Sequence, residues 1–158
     1  MVTNKDIQAL NEFLENREVD YVLTGTAALF YHGMLPEDTE VHDIDIIVLT
    51  TEETRPALQA MFKELEDLSG CRHDEEHYKS QVYVFKVGSN NTKVNAFEGD
   101  VIGGQDRPKC HTMIIDGAPI KVHDVLDILR AKFSLNRVKD HEFFAKIVNQ
   151  LSNMFPNV

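Results

Sequence analysis

Apolar residues recur along this chain at two spacings, and the switch between them marks out the secondary structure. Ile7, Leu10, Phe13 and Leu14 fall three and four apart behind Thr3, a helix-capping residue with Asp6 three positions on, and predict a helix over about Asn4 to Asn16. Tyr21 to Leu23 is a short β-favouring run that stops at Gly25, after which Ala27 to Tyr31 suit a helix beginning near Thr26. The stretch from Gly33 to Val41, with Pro36 and the polar residues after it, reads as a loop. Ile44 to Leu49 is apolar at consecutive positions, the pattern of a strand covered on both faces. Thr51 then caps a predicted helix over about Glu52 to Leu68, striped by Leu58, Met61, Phe62, Leu65 and Leu68.

Further on, Gln81 to Val87 and Thr92 to Phe97 flank Gly88 to Asn91 as a hairpin. Met113 to Ile115 and Pro119 to Val122 bracket Asp116-Gly117 in the same way, with Pro119 at a strand start. Asp124 opens a helix that carries Ile128, Leu129 and Phe133, and a last helix from about Lys139 carries Phe143, Ile147 and Leu151. No repeat or linker interrupts this order. A single domain over residues 1–158 is expected, α+β in class, with a mixed β-sheet flanked by helices and C-terminal helices from about residue 124.

Composition narrows the setting. The chain is 42% apolar and 27% charged, ordinary for a soluble protein, and no window reaches the apolar length of a membrane span. Charges through the first seventeen residues interrupt any signal-peptide core, so no membrane association and a cytoplasmic location are expected. Cys71 and Cys110 stand too far apart in sequence to indicate a disulfide framework. A net charge of -10 argues against non-specific nucleic-acid binding. The charge is uneven, however: residues 1–76 hold 18 acids against 5 bases, and residues 77–158 hold 8 acids against 11 bases. A phosphate-bearing ligand is therefore expected to favour the second half, while the acidic first half aids solubility or collects cations.

Two stretches can carry chemistry. Residues two apart on a strand share a face, so Asp43 and Asp45 present their carboxylates together while Ile44 and Ile46 face the other way. Two such like charges either sit at an exposed strand start or share a compensating cation. All-oxygen ligation suits Mg²⁺, which commonly takes one or two carboxylates and completes its shell with water and substrate phosphates. Gly25-Thr26, between strand and helix, is either a plain turn or a phosphate cradle in which unpaired N–H groups and the Thr26 hydroxyl meet the anion.

With these residues in place, the sequence resembles the DNA polymerase β-type nucleotidyltransferase superfamily. Leu23-Thr24-Gly25-Thr26 followed by Asp43-Ile44-Asp45-Ile46-Ile47-Val48 matches its pattern, with Thr where Ser is usual. Within it the chain looks most like the small abortive-infection toxin and minimal nucleotidyltransferase branch, through Leu129-Arg130-Ala131-Lys132 and then Arg137-Val138-Lys139-Asp140. The resemblance implies a nucleotidyltransferase-like fold and transfer of a nucleoside monophosphate from an NTP to a hydroxyl with Mg²⁺. It implies Asp43 and Asp45 as catalytic metal ligands, Gly25 and Thr26 at the NTP phosphates, Lys132 neutralising developing charge, and Asp140 orienting that lysine. The acceptor is open: an RNA 3′ end, a protein hydroxyl or a small molecule such as an aminoglycoside.

The chain also departs from that pattern. Where the superfamily places a third carboxylate on a later strand, this sequence has Asn95, which offers a neutral oxygen and cannot take a proton. Glu98 or Asp100 would have to stand in. Thr39 to His42 supplies no Arg shortly before the Asp pair, where the branch often has one, and Phe143 occupies a position where a second late Asp is usual. The alternative is thus a catalytically degenerate module of the same fold that binds nucleotide or a protein partner, antitoxin-like; a phosphate-binding domain outside the superfamily is the third possibility. The Cys71 to His77 cluster matches no zinc spacing and reads as a solvated loop. Cys110 and His111 are adjacent on a strand and face opposite ways, and His32, His42, His123 and His141 read as surface or capping residues.

Overall fold

A computed structural model of the chain describes residues 1–69, 82–98, 108–135 and 137–154. Helix α1 (Asn4–Glu15) starts at a complete capping box: Thr3 and Asp6 each bond the other's backbone N–H. Strand β1 (Tyr21–Thr24) runs straight into the short helix α2 (Gly25–Tyr31), and strand β2 (Asp43–Val48) follows the loop. Helix α3 (Arg55–Ser69), the hairpin β3 (Val82–Val87) and β4 (Thr92–Glu98), the hairpin β5 (Cys110–Ile115) and β6 (Ala118–His123), and helices α4 (Val125–Leu135) and α5 (Val138–Met154) complete the described order.

The predicted elements are all present, and their boundaries shift for identifiable reasons. Helix α3 begins three residues later than expected. A helix from Glu52 would set Pro56 inside it, where the ring has no N–H to give and would strike the carbonyl four residues back; beginning at Arg55 leaves Pro56 in the first turn, where the missing donor costs nothing. Thr51 and Thr54 instead close a small turn ahead of the helix, each hydroxyl accepting from the other's N–H. Asp116 and Gly117 both take positive φ (52° and 82°), the geometry of a tight two-residue turn between β5 and β6.

The six strands form one mixed sheet in the order β3-β4-β2-β1-β6-β5. β1 is antiparallel to β2 and parallel to β6, and β2 is parallel to β4. Alternation then divides the sheet into two faces. Leu23, Ile44, Ile46, Phe85, Val94, Ala96, Ile120 and Val122 point to one face and form a single core with Ile7, Leu10 and Leu14 of α1, Leu29 of α2, Phe62 of α3, Ile128 of α4 and Ile147 of α5. The opposite face holds Thr24, Asp43, Asp45 and Asn95, with a separate small cluster of Val82, Val84 and Phe97. No described helix is long and apolar enough to cross a membrane.

Candidate functional site

The site is built from the end of β1, the start of β2 and the middle of β4. Thr24 is paired with Asp45 across β1 and β2, and Asp45 with Asn95 across β2 and β4, so one row of the sheet reads Asn95, Asp45, Thr24. Asp43 lies two residues from Asp45 on the same face, while Ile44 and Ile46 between and beyond them are fully buried. The expected shared face of the two carboxylates is what the strand produces.

Immediately after Thr24 the chain turns at Gly25 with φ +67°. A Cβ there would collide with Oδ2 of Asp45 and stand 3.0 Å from the Asp45 Cβ. The bare Cα is therefore required twice, once by the left-handed backbone and once by the carboxylate lying against it. Thr26 follows in the first turn of α2. With only seven residues, α2 contributes little dipole, and the character of the site comes from the contact between Gly25 and Asp45.

Charge around Asp45 is unevenly balanced. Burial pushes its carboxyl above the usual range, Asp43 adds to that, and a hydrogen bond from Asn95 with the fields of Lys132 and Lys139 pulls the other way. Asn95 Nδ2 donates to Asp45 Oδ1 at 2.8 Å, which leaves Oδ2 as the oxygen facing the Gly25 turn. Asp43 is more open, with Lys93 Nζ 4.0 Å from its Oδ2.

From the far side, α4 supplies Lys132. Burial lowers its ammonium pKa, while Asp45 and Asp140 oppose the shift, and Nζ stands 4.7 Å above the Phe143 ring. Phe143 therefore serves as a platform for the lysine. Asp140 is otherwise engaged. Arg137 grips it through Nε at 2.7 Å and Nη2 at 2.9 Å, and the Arg137 N–H donates to the same carboxylate, capping α5. Although burial raises the Asp140 carboxyl, those hydrogen bonds hold it below the ordinary range. Asp140 acts on Lys132 through its field.

Two other expectations resolve here. Glu98 does not stand in for a third carboxylate: it points to the opposite face, accepts from Gln59 Nε2 at 2.6 Å and lies 3.8 Å from Arg55 Nε. Asp100 and the Cys71 to His77 cluster lie outside the described residues. Cys110 and His111 are both exposed, and His111 bonds Asp124 at 2.7 Å, with no part in the site.

His123 was expected at the surface, yet it is 1% exposed. Its Nδ1 shares a 2.8 Å hydrogen bond with the Thr24 hydroxyl, and its backbone oxygen accepts from His32 Nε2 at 2.7 Å. Burial lowers its pKa, with Asp127 opposing. A neutral His123 thus braces the residue preceding Gly25. The one sequence signal was its position, at the end of a strand that runs beside β1.

Could these residues hold Mg²⁺? Among the described residues no group of three or more His, Cys, Asp or Glu side chains is placed to enclose a metal. Asp43 with Asp45 Oδ2 is nevertheless a donor set suited to one Mg²⁺ that draws its other ligands from water and phosphate, and a half-buried carboxylate whose charged form burial disfavours is an observation in favour.

No protein-family model and no curated protein matches the chain. Solved structures do. The chain is similar to a Thermotoga maritima protein described as a nucleotidyltransferase, with 23% identity, a TM-score of 0.56 and coverage of 95% of this chain and 96% of that one. It is similar to an antigenic nucleotidyltransferase-like protein of Paracoccidioides brasiliensis at 14% identity and a TM-score of 0.57, covering 93% of this chain and 74% of that one. A third is ANT(2'')-Ia in complex with adenylyl-2''-tobramycin, at 16% identity and a TM-score of 0.58, covering 94% of this chain and 88% of that one. The chain has the nucleotidyltransferase fold.

Proposed function

We propose that the chain binds an NTP with a divalent cation at Gly25, Thr26, Asp43 and Asp45, and transfers the nucleoside monophosphate to a hydroxyl acceptor. The observation that carries this is the Asp45 carboxylate lying against the bare Cα of Gly25, which sets the cation ligands beside the turn that receives phosphate. The fold shared with an enzyme seen with an adenylylated antibiotic supports the reaction class.

Each residue then has a physical task. Gly25 lets phosphate oxygens approach the backbone, and the Thr26 hydroxyl donates to them. Asn95 pins Oδ1 of Asp45, so Oδ2 keeps one orientation. Lys132, partly desolvated on Phe143, brings positive charge toward the phosphates. Mg²⁺ bound by Asp43 and Asp45 would neutralise phosphate charge and favour ionisation of the acceptor hydroxyl. In the transfer, the acceptor oxygen bonds to the α-phosphorus as the bond to pyrophosphate breaks. The acceptor proton passes to water, because Asn95 cannot accept it. Turnover is expected to be slow for that reason.

Titration calorimetry with ATP, with and without Mg²⁺, tests the binding; incubation with labelled ATP and cell lysate tests transfer. Cation-dependent ATP binding and a labelled product are expected, and ATP binding that ignores Mg²⁺ would defeat the proposal.

One observation favours a second reading. Asn95 fills the place of a third carboxylate and spends a hydrogen bond on Asp45, which suits a module that binds nucleotide without turning it over, with a protein as partner. ATP binding with no labelled product under any cation would favour this module.

A further inference from the structure

Lys86 and Lys93 are partners across β3 and β4, and Lys93 is in turn the partner of Asp43 across β4 and β2. The three form one row, adjacent to the row of Asn95 and Asp45 and on the same face of the sheet. Both lysines are exposed, and like charges placed directly opposite on neighbouring strands destabilise the pair. Lys93 has Asp43 at 4.0 Å, but no acid among the described residues pairs with Lys86. A chain with 26 acids and a net charge of -10 thus keeps two cations together beside its candidate site. Protection of a sheet edge would explain a lysine on β3, yet it does not explain Lys93 on the interior strand β4.

We propose that this lysine row is the acceptor subsite, and that the acceptor is a hydroxyl compound carrying a phosphate group that lies between Lys86 and Lys93. The inference rests on the nucleotidyl-transfer reading and names its second substrate. Position separates the row from the NTP site. Gly25 follows β1, and β3 lies three strands away in the order β3-β4-β2-β1, about 14 Å at the usual strand spacing. Phosphates held at Gly25 do not reach Lys86. With the Gly25 turn closing the β1 side of Asp45, the acceptor approaches from β4, directly over this row. Lysine ammonium groups act as point charges that suit a phosphate and repel a polycation. The row therefore selects against an aminoglycoside such as the tobramycin moiety seen with ANT(2'')-Ia.

The test titrates the intact chain, with ATP and Mg²⁺ present, against a short fluorescein-labelled oligoribonucleotide, ribose 5-phosphate and tobramycin in separate arms. Either phosphate compound should bind more tightly than tobramycin, and the arm that binds tells whether an RNA end or a small sugar phosphate supplies the phosphate. Lys86→Glu should weaken that binding about tenfold at low salt, and less at high salt. Lys86→Gln, a milder change on an exposed site, should weaken it in the same direction while melting at or slightly above the wild type, since it relieves the repulsion from Lys93. Affinity for ATP with Mg²⁺ should stay within about twofold in both variants, since Lys86 lies beyond the phosphates. Unchanged binding of both phosphate compounds in Lys86→Glu, or preference of the wild type for tobramycin, would overturn the acceptor subsite with the NTP reading intact. Failure of the wild type to bind ATP would be read in the calorimeter alone, and would remove the NTP reading first.

Discussion

Two carboxylates flank Lys132, and the chain treats them in opposite ways. Asp140 is gripped by a bidentate guanidinium, caps α5, and is held below the ordinary carboxylate range. Asp45 receives one amide hydrogen bond, lies beside a second carboxylate, and is pushed above that range by burial. A pair closed by its own arginine is complete and stabilises the fold. A half-buried acid whose charged form burial disfavours costs stability, and a bound cation would offset that cost. The contrast separates scaffold from candidate site more sharply than residue type, because both are aspartates next to the same lysine.

The largest effect should come from closing the gap beside Asp45. Gly25→Ala forces a Cβ into the carboxylate and a left-handed backbone onto alanine, and should cost about 2–5 kcal/mol in chemical unfolding and abolish ATP binding in the calorimeter. Asn95→Asp comes next. It replaces the donor to Asp45 with a third negative charge and should lower the stability of the metal-free chain by about 1–3 kcal/mol. Titration with Mn²⁺, followed by electron paramagnetic resonance, should then count more bound ions per chain than in the wild type; an unchanged count would show that Asn95 does not limit the metal site. Asp140→Asn breaks the completed pair and should cost about 2 kcal/mol, with the ATP affinity changed far less than by Gly25→Ala. Asp45→Asn is the mirror case: removal of an under-compensated charge should leave the metal-free chain as stable or about 1 kcal/mol more stable, while cation-dependent ATP binding is lost.

The smallest and most discriminating effect is in pH. Asp140 has a lowered folded-state pKa, so its contribution is present above the ordinary value of 3.8 and lost as pH falls through the folded value. Asp45 has a raised one, so the protonated group favours folding and that advantage is lost as pH rises from 3.8 through the folded value. Melting curves from acid to neutral pH should therefore show the Asp140→Asn deficit opening as pH rises, and the Asp45→Asn deficit closing or becoming a gain. Parallel pH profiles for the two variants would erase the distinction drawn between these aspartates.

Much of this arrangement was legible beforehand, for local reasons. A period of two puts Asp43 and Asp45 on one face, and a glycine between strand and helix marks the turn that meets them. The α3 start was misplaced because Thr51 looked like a cap while Pro56 imposed the stricter condition. Long-range facts were harder. Asn95 is fifty residues from Asp45, and only strand register shows that its amide points at that carboxylate. Asp140 carried no sign that Arg137, three residues earlier, would take it from Lys132. His123 reads as a surface residue until β6 is seen to run parallel to β1, where burial and the Thr24 hydroxyl become its surroundings.

The antiparallel pairing of β1 with β2 has a practical corollary for protein engineering. Gly25 and Asp45 are registered by Thr24 opposite Asp45, whereas Glu37, Asp38 and Thr39 at the far bend of the intervening loop carry no part of that alignment. A peptide tag spliced at the bend should leave the geometry of the candidate site in place. A single residue inserted within β2 would swing both aspartates into the apolar interior and turn their isoleucine neighbours out to water.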